Sequence, residues 1–231
     1  MRLLLLLLLF FSLPSAQTGS TGIPPNEAKV LNTFVPEDVP LVDDKGRELT
    51  LKDLKGKPVI IAPIYTTCRS ACPLIIKGLK EVVPKVGKAG KDFHVVVLTF
   101  NPKDTLENMK KFRKEQSIPE SWLLVKAKTP EELFRILDAI DFKFMTAGQD
   151  FIHPNLLVFL SPELQIKKYL YGVSYDRLEF INALRIARGE LALPDNYRSY
   201  LFLIGMFGMV ATSAYIAYTL GKVYRRKKKA A

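Results

Sequence analysis

An apolar segment that runs directly into a pair of cysteines lies in the first third of the sequence. Residues 58–65 read PVIIAPIY, and residues 66–73 continue as TTCRSACP. A nearly unbroken apolar run of this length is typical of a strand that is buried on both faces of a sheet. Beyond Pro73, apolar residues recur at helical spacing, at Leu74, Ile75, Leu79, Val82 and Val83. The segment therefore predicts a buried strand, a turn that carries two cysteines, and a helix.

Strand and helix patterns alternate along the residues that follow. Further strands are predicted at 93–100, 122–125, 156–160 and 166–171, the last two as a hairpin. Further helices are predicted over 105–116, 129–140 and 175–188. Before the cysteines, a turn at 43–46 predicts a hairpin and residues 51–57 predict one helical turn. The elements predict an α/β fold in which helices flank a central mixed sheet. Cysteines at a strand-to-helix junction favour the thioredoxin-like arrangement.

The N-terminus has the pattern of a secretory signal peptide. Arg2 precedes an apolar run of 11 residues, Leu3–Leu13, and small residues follow up to Ala16. The run is too short to span a bilayer, which takes about 20 residues. We therefore predict a signal peptide over 1–16, with an uncleaved anchor as the alternative. Residues 17–34 are predicted to be a flexible leader, because Gly, Ser, Thr and Pro dominate its first part.

The C-terminus has the pattern of a transmembrane helix. Residues 200–220 carry no charge, tyrosines occur towards both ends, and residues 225–229 read RRKKK. Positive residues stay on the cytoplasmic side of a membrane. This predicts a transmembrane helix over 199–221, a cytoplasmic tail over 222–231, and a thioredoxin-like domain over 35–190 outside the cytoplasm. A buried core helix is the alternative interpretation of the apolar segment.

The net charge of +11 does not indicate nucleic-acid binding. Seven positive charges lie at Arg2 and in the C-terminal tail, and about +4 remains for the rest, where lysines alternate with acidic residues. The membrane is therefore a predicted partner and nucleic acid is not. The short Leu-rich leader lacks the Arg- and Ser-rich character of a transit peptide, which favours a bacterial inner membrane over a mitochondrial one.

Cys68 and Cys72 are the only cysteines of the chain. Their spacing of four places both sulfur atoms on one face of the first helical turn, where the helix dipole stabilises thiolates. Arg69 adds positive charge between them. Such a pair can close a disulfide or bind a soft metal ion. A purely structural disulfide is the alternative, but so short a loop removes little chain entropy.

A metal site needs further ligands, and the chain has two histidines. His94 lies inside a predicted strand, where a structural or surface role is usual. His153 lies in a predicted loop over 148–154, before a buried strand, and such a loop faces the cysteines in the thioredoxin-like arrangement. Two thiolates and one imidazole suit Cu(I) and can hold Cu(II), whereas a closed zinc site prefers four protein ligands. The predicted copper ligands are Cys68, Cys72 and His153.

Three features resemble the SCO/SenC family of copper chaperones: YTTCRSACP at 65–73, NPKDT at 101–105, and a histidine just before a late strand. The similarity extends from about Val35 to Arg188. The resemblance implies a thioredoxin-like fold and copper bound by the two cysteines and His153. It also implies a role at the binuclear copper site of cytochrome c oxidase subunit II, by copper delivery, by reduction of its cysteines, or by both. Other copper chaperones or thiol reductases are the further partners it implies.

The sequence departs from the family at three points. Arg69 replaces the usual Pro, Asn101 replaces the usual Asp and removes a charge near the site, and the predicted anchor is C-terminal. A thiol–disulfide oxidoreductase acting on exported proteins is the main alternative function, with Cys68 and Cys72 as the catalytic pair. It would not need His153, although three residues between the cysteines, instead of two, disfavour it. An interaction domain with a vestigial site is disfavoured because all three ligands are present. Turnover as an enzyme is left open.

Overall fold

The computed structural model describes residues 22–148, 150–190 and 197–229. The chain divides into two compact units, one up to residue 191 and one from residue 192. The strands of the first unit are β1 (Leu41–Asp43), β2 (Glu48–Leu49), β3 (Val59–Ile64), β4 (His94–Thr99), β5 (Leu123–Ala127), β6 (Met145–Ala147), β7 (Asp150–Ile152), β8 (Leu156–Leu160) and β9 (Ile166–Tyr171). Its helices are α1 (Glu27–Val30), α2 (Ala71–Val86), α3 (Leu106–Gln116), α4 (Pro130–Ala139) and α5 (Arg177–Ala187), with a 3-10 helix at Leu51–Leu54. The second unit contains α6 (Tyr197–Lys229).

Seven strands form one mixed sheet in the order β2-β1-β5-β4-β3-β8-β9. The three inner strands β5, β4 and β3 are parallel, and the strands on either side of them pair antiparallel. All six residues of β3 are buried, as its unbroken apolar run predicted. The predicted thioredoxin-like sheet with flanking helices is therefore confirmed, together with the N-terminal hairpin β1–β2.

The hairpin β1–β2 closes through the side chain of Asp43. Its Oδ1 accepts the backbone N–H groups of Lys45, at 2.9 Å, and Arg47, at 2.8 Å. Gly46 has φ +84°, a left-handed conformation that favours glycine. This turn extends the sheet on the side of β5, away from the cysteines.

Helix α2 presents its apolar face to the sheet. Because the apolar residues recur at helical spacing, they share one side of the helix, and the structure buries Cys72 with them. The buried residues are Cys72, Ile75, Ile76, Gly78, Leu79, Val82 and Val83. The second cysteine is thus fixed by the same packing that attaches α2 to the core.

The predicted leader over 17–34 extends too far towards the C-terminus. Val30 on α1 is buried, and the N–H of Asn32 donates to the carbonyl of Ile166 at 2.8 Å. The N–H of Asn26 donates to the Asp141 carboxylate at 2.6 Å. Residues 26–34 therefore belong to the folded unit, because an apolar residue and backbone hydrogen bonds attach them to it. The predicted signal peptide over 1–16 lies outside the described residues.

The predicted loop over 148–154 contains a short strand that pairs with residues before it. Strand β7 pairs antiparallel with β6 and forms a separate two-stranded sheet. All three residues of β6 are exposed, and in β7 only Phe151 is partly buried. Strands of three residues without a regular buried face give no periodic signal, which is why the sequence predicted a loop.

Helix α6 includes a segment, Ser199–Lys222, of 24 residues that is long and apolar enough to cross a membrane. Its apolar window is not buried inside the protein, whereas a core helix would be mostly buried. The predicted transmembrane helix over 199–221 coincides with this segment. The helical conformation continues to Lys229, into the predicted basic tail.

Candidate metal centre

Cys68 and Cys72 lie between the end of β3 and the first turn of α2. Both are free cysteines, and their exposed fractions are 5 % and 0 %. The N–H of Cys72 donates to the sulfur of Cys68 at 3.3 Å, and the Ser70 hydroxyl lies 3.8 Å from the same sulfur. The predicted position of the pair at a strand-to-helix junction is confirmed.

The two thiols differ in acidity. The Cys72 side chain hydrogen-bonds to the Cys68 sulfur, and the His153 side chain and the backbone N–H groups of Cys72 and Ser70 add to this effect. Together they outweigh burial and hold the pKa of Cys68 well below its usual range. Burial, followed by the hydrogen bond and charge of Cys68, raises the pKa of Cys72 well above its usual value. These opposite shifts favour the thiolate form at Cys68 and the thiol form at Cys72.

His153 follows β7 directly and is almost fully buried, with 4 % exposure. Its Nδ1 lies 3.1 Å from the Pro154 carbonyl oxygen. A carbonyl only accepts, so Nδ1–H must be the donor, and the Nε2 lone pair is left for a metal ion. The rings of Tyr65, Phe100 and Phe142 surround the imidazole, with centroid separations of 5.8, 5.0 and 6.0 Å. The histidine therefore has a fixed orientation and an apolar surrounding.

The N–H of Cys72 donates to the Cys68 sulfur at 3.3 Å, and the His153 side chain helps to lower the pKa of Cys68. Among the described residues, no three His, Cys, Asp or Glu side chains already form a complete metal-binding group. Binding of one ion therefore requires the three side chains to converge on a common point. The donor set of two sulfurs and one imidazole fits Cu(I), and a hydrogen bond from the other ring nitrogen to a carbonyl, as His153 makes to Pro154, is usual for a histidine that binds a metal ion.

His94 lies at the opposite end of the sheet from the cysteines. It is the first residue of β4 and pairs with Val59, whereas the cysteines follow the other end of β3, at Ile64. Burial, and then the charge of Lys57, lowers the pKa of His94. The structure does not bring His94 to the site, in agreement with its predicted structural or surface role.

Tyr65 and Asp150 belong to the site, although the sequence did not single them out. The Tyr65 hydroxyl donates to Oδ1 of Asp150 at 2.8 Å, and the Tyr65 backbone carbonyl accepts the N–H of Cys68 at 3.2 Å. Burial, and then its bonds to Cys68 and Asp150, raises the pKa of Tyr65, so the hydroxyl keeps its proton. The two residues are 85 positions apart, and no local pattern links them.

A buried carboxylate at Asp104 holds the turn before the cysteines. Asp104 accepts the N–H of Thr66 at 2.8 Å, the side-chain amide of Asn101 at 3.1 Å, and the hydroxyl of Thr99. Its charge also contributes to the raised pKa of Cys72. Asn101 was expected to remove a charge near the site, but Asp104 supplies one and Asn101 is its hydrogen-bond partner.

A cleft of about 500 Å³ opens beside Cys68. One wall is formed by residues 66–69 and Pro73, and the other by α3 residues that include Asn108 and Lys111. The cleft gives an approach to the Cys68 side of the site, while Cys72 is enclosed by the core.

The fold and this arrangement of side chains define a thioredoxin-like protein with a buried dithiol and an adjacent histidine. The SCO1/SenC family matches residues 31–174, which is more than half of the sequence. The chain therefore belongs to the SCO1/SenC family, and the resemblance found in the sequence is confirmed.

Two related proteins show how far the similarity extends. A crystal structure from Aquifex aeolicus VF5, provisionally described as an electron transfer protein, is 64 % identical, with a TM-score of 0.68. The match covers 69 % of this chain and 95 % of that protein. The Arabidopsis thaliana protein named "Protein SCO1 homolog 1, mitochondrial" is 27 % identical over 143 residues, 59 % of this chain. The match covers 42 % of that relative, so the chain spans about two fifths of its length.

Two more distant solved structures share the fold. Arabidopsis thaliana ScoI with copper bound is 22 % identical over 66 % of this chain and 99 % of its own, with a TM-score of 0.57. BsSco, in which a disulfide switch was identified, is a member of the Sco family of cytochrome c oxidase assembly proteins. It is 19 % identical over 69 % of this chain and 95 % of its own, with a TM-score of 0.59. Sco homologues have thus been solved with copper bound.

Proposed function

We propose that this protein binds copper through Cys68, Cys72 and His153 and helps to assemble the binuclear copper site of cytochrome c oxidase subunit II. The main supporting observation is that the N–H of Cys72 donates to the Cys68 sulfur at 3.3 Å, while the buried His153 packs edge-on against Tyr65, three residues before Cys68. Membership of the SCO1/SenC family and the copper-bound Sco homologue support the same proposal. Copper is the cargo here. Its recipient is subunit II or another cuproprotein, and its donors are other copper chaperones.

The thiol–disulfide oxidoreductase is the second candidate, and the unequal thiols favour it. A Cys68 thiolate would attack a client disulfide and release one client thiolate, and Cys72 would then displace the second. The client gains two electrons, and the protein is left with a disulfide between the two cysteines. The same step would reduce the cysteines of subunit II before copper delivery, so it belongs to both candidates. A thiol reductase would have to regenerate the dithiol.

Copper titration of the purified, reduced protein tests the proposal. We expect one Cu(I) per chain when a chromophoric Cu(I) chelator competes for the metal. The loaded protein should then transfer copper to the reduced, copper-free soluble domain of subunit II. Failure to compete with the chelator would contradict copper handling. Reduction of the oxidised subunit II domain without any copper binding would favour the oxidoreductase.

We further propose that α6 anchors the protein in a bacterial inner membrane, with the folded domain in the periplasm and the C-terminus in the cytoplasm. The apolar span Ser199–Lys222 and the basic residues at 225–229 support this orientation. A protease added to intact spheroplasts should degrade the domain and leave a membrane-protected fragment that carries a C-terminal tag. Protection of the whole chain would contradict the orientation.

A further inference from the structure

The hairpin of β6 and β7 carries His153 but lies outside the main sheet. It pairs only within itself, and five of its six strand residues are exposed. Strand β7 ends at Ile152, and His153 is the next residue. Among the described residues, the ladder hydrogen bonds of the hairpin stay within β6 and β7, so its side-chain contacts with the rest of the domain are important for its position. Whatever fixes the hairpin also fixes the imidazole.

Tyr65 provides such contacts from the cysteine side. It follows β3 and is only 2 % exposed. Its ring meets Phe151 edge-on, with centroids 5.0 Å apart and planes at 81°, and its hydroxyl donates to Asp150 at 2.8 Å. Its backbone carbonyl accepts the N–H of Cys68 at 3.2 Å. A single residue therefore connects the hairpin that carries the histidine with the turn that carries the cysteines.

We propose that Tyr65 and Asp150 form a latch, the hydroxyl–carboxylate hydrogen bond, that holds the hairpin against the cysteine turn and positions His153 beside Cys68 for one copper ion. A hydrogen bond to an ionised carboxylate is stronger than a neutral one, and here its donor is buried and fixed by packing. Both are positioning residues, since they act through the ligands. The positioning of His153 for a copper ion rests on the proposed function. The hydrogen bond between Tyr65 and Asp150 is expected in the metal-free protein as well.

The chain offers substitutions that separate the hydrogen bond from the packing. Tyr65→Phe keeps the ring against Phe151 and removes the hydroxyl. Asp150→Ala removes the acceptor, whereas Asp150→Asn keeps an oxygen that can accept the bond. Tyr171→Phe is a matched control, because the Tyr171 hydroxyl donates to the Glu27 carboxylate at 2.7 Å and belongs to a separate pair.

The first measurement uses the reduced, metal-free full chain in detergent. Hydrogen–deuterium exchange of the β6–β7 amides should be about tenfold faster in Tyr65→Phe and in Asp150→Ala than in the wild type. Tyr171→Phe should exchange close to the wild-type rate, and Asp150→Asn, which keeps an accepting oxygen but loses the charge, should lie between the wild type and Asp150→Ala. Unchanged exchange in either of the first two variants would overturn the latch. An effect of Tyr65→Phe alone would mean that the hydroxyl acts on Cys68 and not through Asp150.

The second measurement is copper affinity in the same variants. Loss of a residue that orients a metal ligand typically weakens binding 10–100-fold, and we expect this loss in Tyr65→Phe and in Asp150→Ala. The double variant should be no weaker than the weaker single variant, and the thiolate-to-Cu(II) absorption band should shift in both. Faster exchange with unchanged affinity and spectrum would overturn the positioning role. If the variants show the expected exchange rates but the wild type binds no copper, the proposed function is rejected and the latch is retained.

Discussion

Replacing His153 with alanine is expected to weaken Cu(I) binding by about 100-fold or more, beyond the 10–100-fold typical for residues that only orient a ligand. The imidazole is the third donor of the site, and its free Nε2 is the only described nitrogen ligand beside the cysteines. Without it the two thiolates remain, and one of them belongs to Cys72, whose raised pKa disfavours the ionised form. Competition with a chromophoric Cu(I) chelator would measure the loss.

His94→Ala is the matched control, because His94 lies at the opposite end of β4 from the cysteines. This variant should bind copper as the wild type does. Both variants should still form the disulfide between Cys68 and Cys72, since neither histidine takes part in that bond. If His153→Ala binds copper within about threefold of the wild type, His153 is not a ligand. In that case the thiol–disulfide oxidoreductase, which needs only the cysteines, becomes the better proposal.

Elements with a continuous apolar pattern were predicted closely. The predicted strands at 156–160 and 166–171 have the bounds of β8 and β9, because every residue of β8 is buried and the turn between them has a clear signal. Helix α4 begins at Pro130, directly after Thr129, where Thr129 and Glu132 exchange hydrogen bonds at 3.0 and 3.3 Å. Elements of three or four residues, such as α1 and β6, were not predicted, because they are too short to show a hydrophobic period.

The parts of the site that are close in sequence were predicted directly from their spacing. The cysteines are four positions apart, and their spacing alone placed both sulfurs at one helix start. His153 required the thioredoxin-like arrangement as an intermediate step. The contacts between Tyr65 and Asp150 and between Thr66 and Asp104 span 85 and 38 positions. Such pairs are created by the sheet topology, so a single sequence contains no local sign of them.

Asp104→Ala is expected to lower the free energy of unfolding by about 3 kcal/mol or more, because it leaves three donors without their acceptor at about 1–3 kcal/mol each. Asp104 is 1 % exposed, and its donors are the Thr66 N–H, the Thr99 hydroxyl and the Asn101 amide. Urea unfolding followed by the fluorescence of Trp122, the single tryptophan, would measure the change.

The exposed carboxylate of Asp138 on α4 provides the control for this prediction. Asp138→Ala should change the free energy of unfolding by no more than about 0.5 kcal/mol, as is usual for surface substitutions. Asp104→Asn should fall between the two alanine variants, since an amide retains one accepting oxygen but turns a donor towards another donor. A loss below about 1 kcal/mol in Asp104→Ala would mean that other groups satisfy these donors. Because the Thr66 N–H precedes the cysteines by only two residues, a confirmed loss would show that this carboxylate holds the cysteine turn to the end of β4.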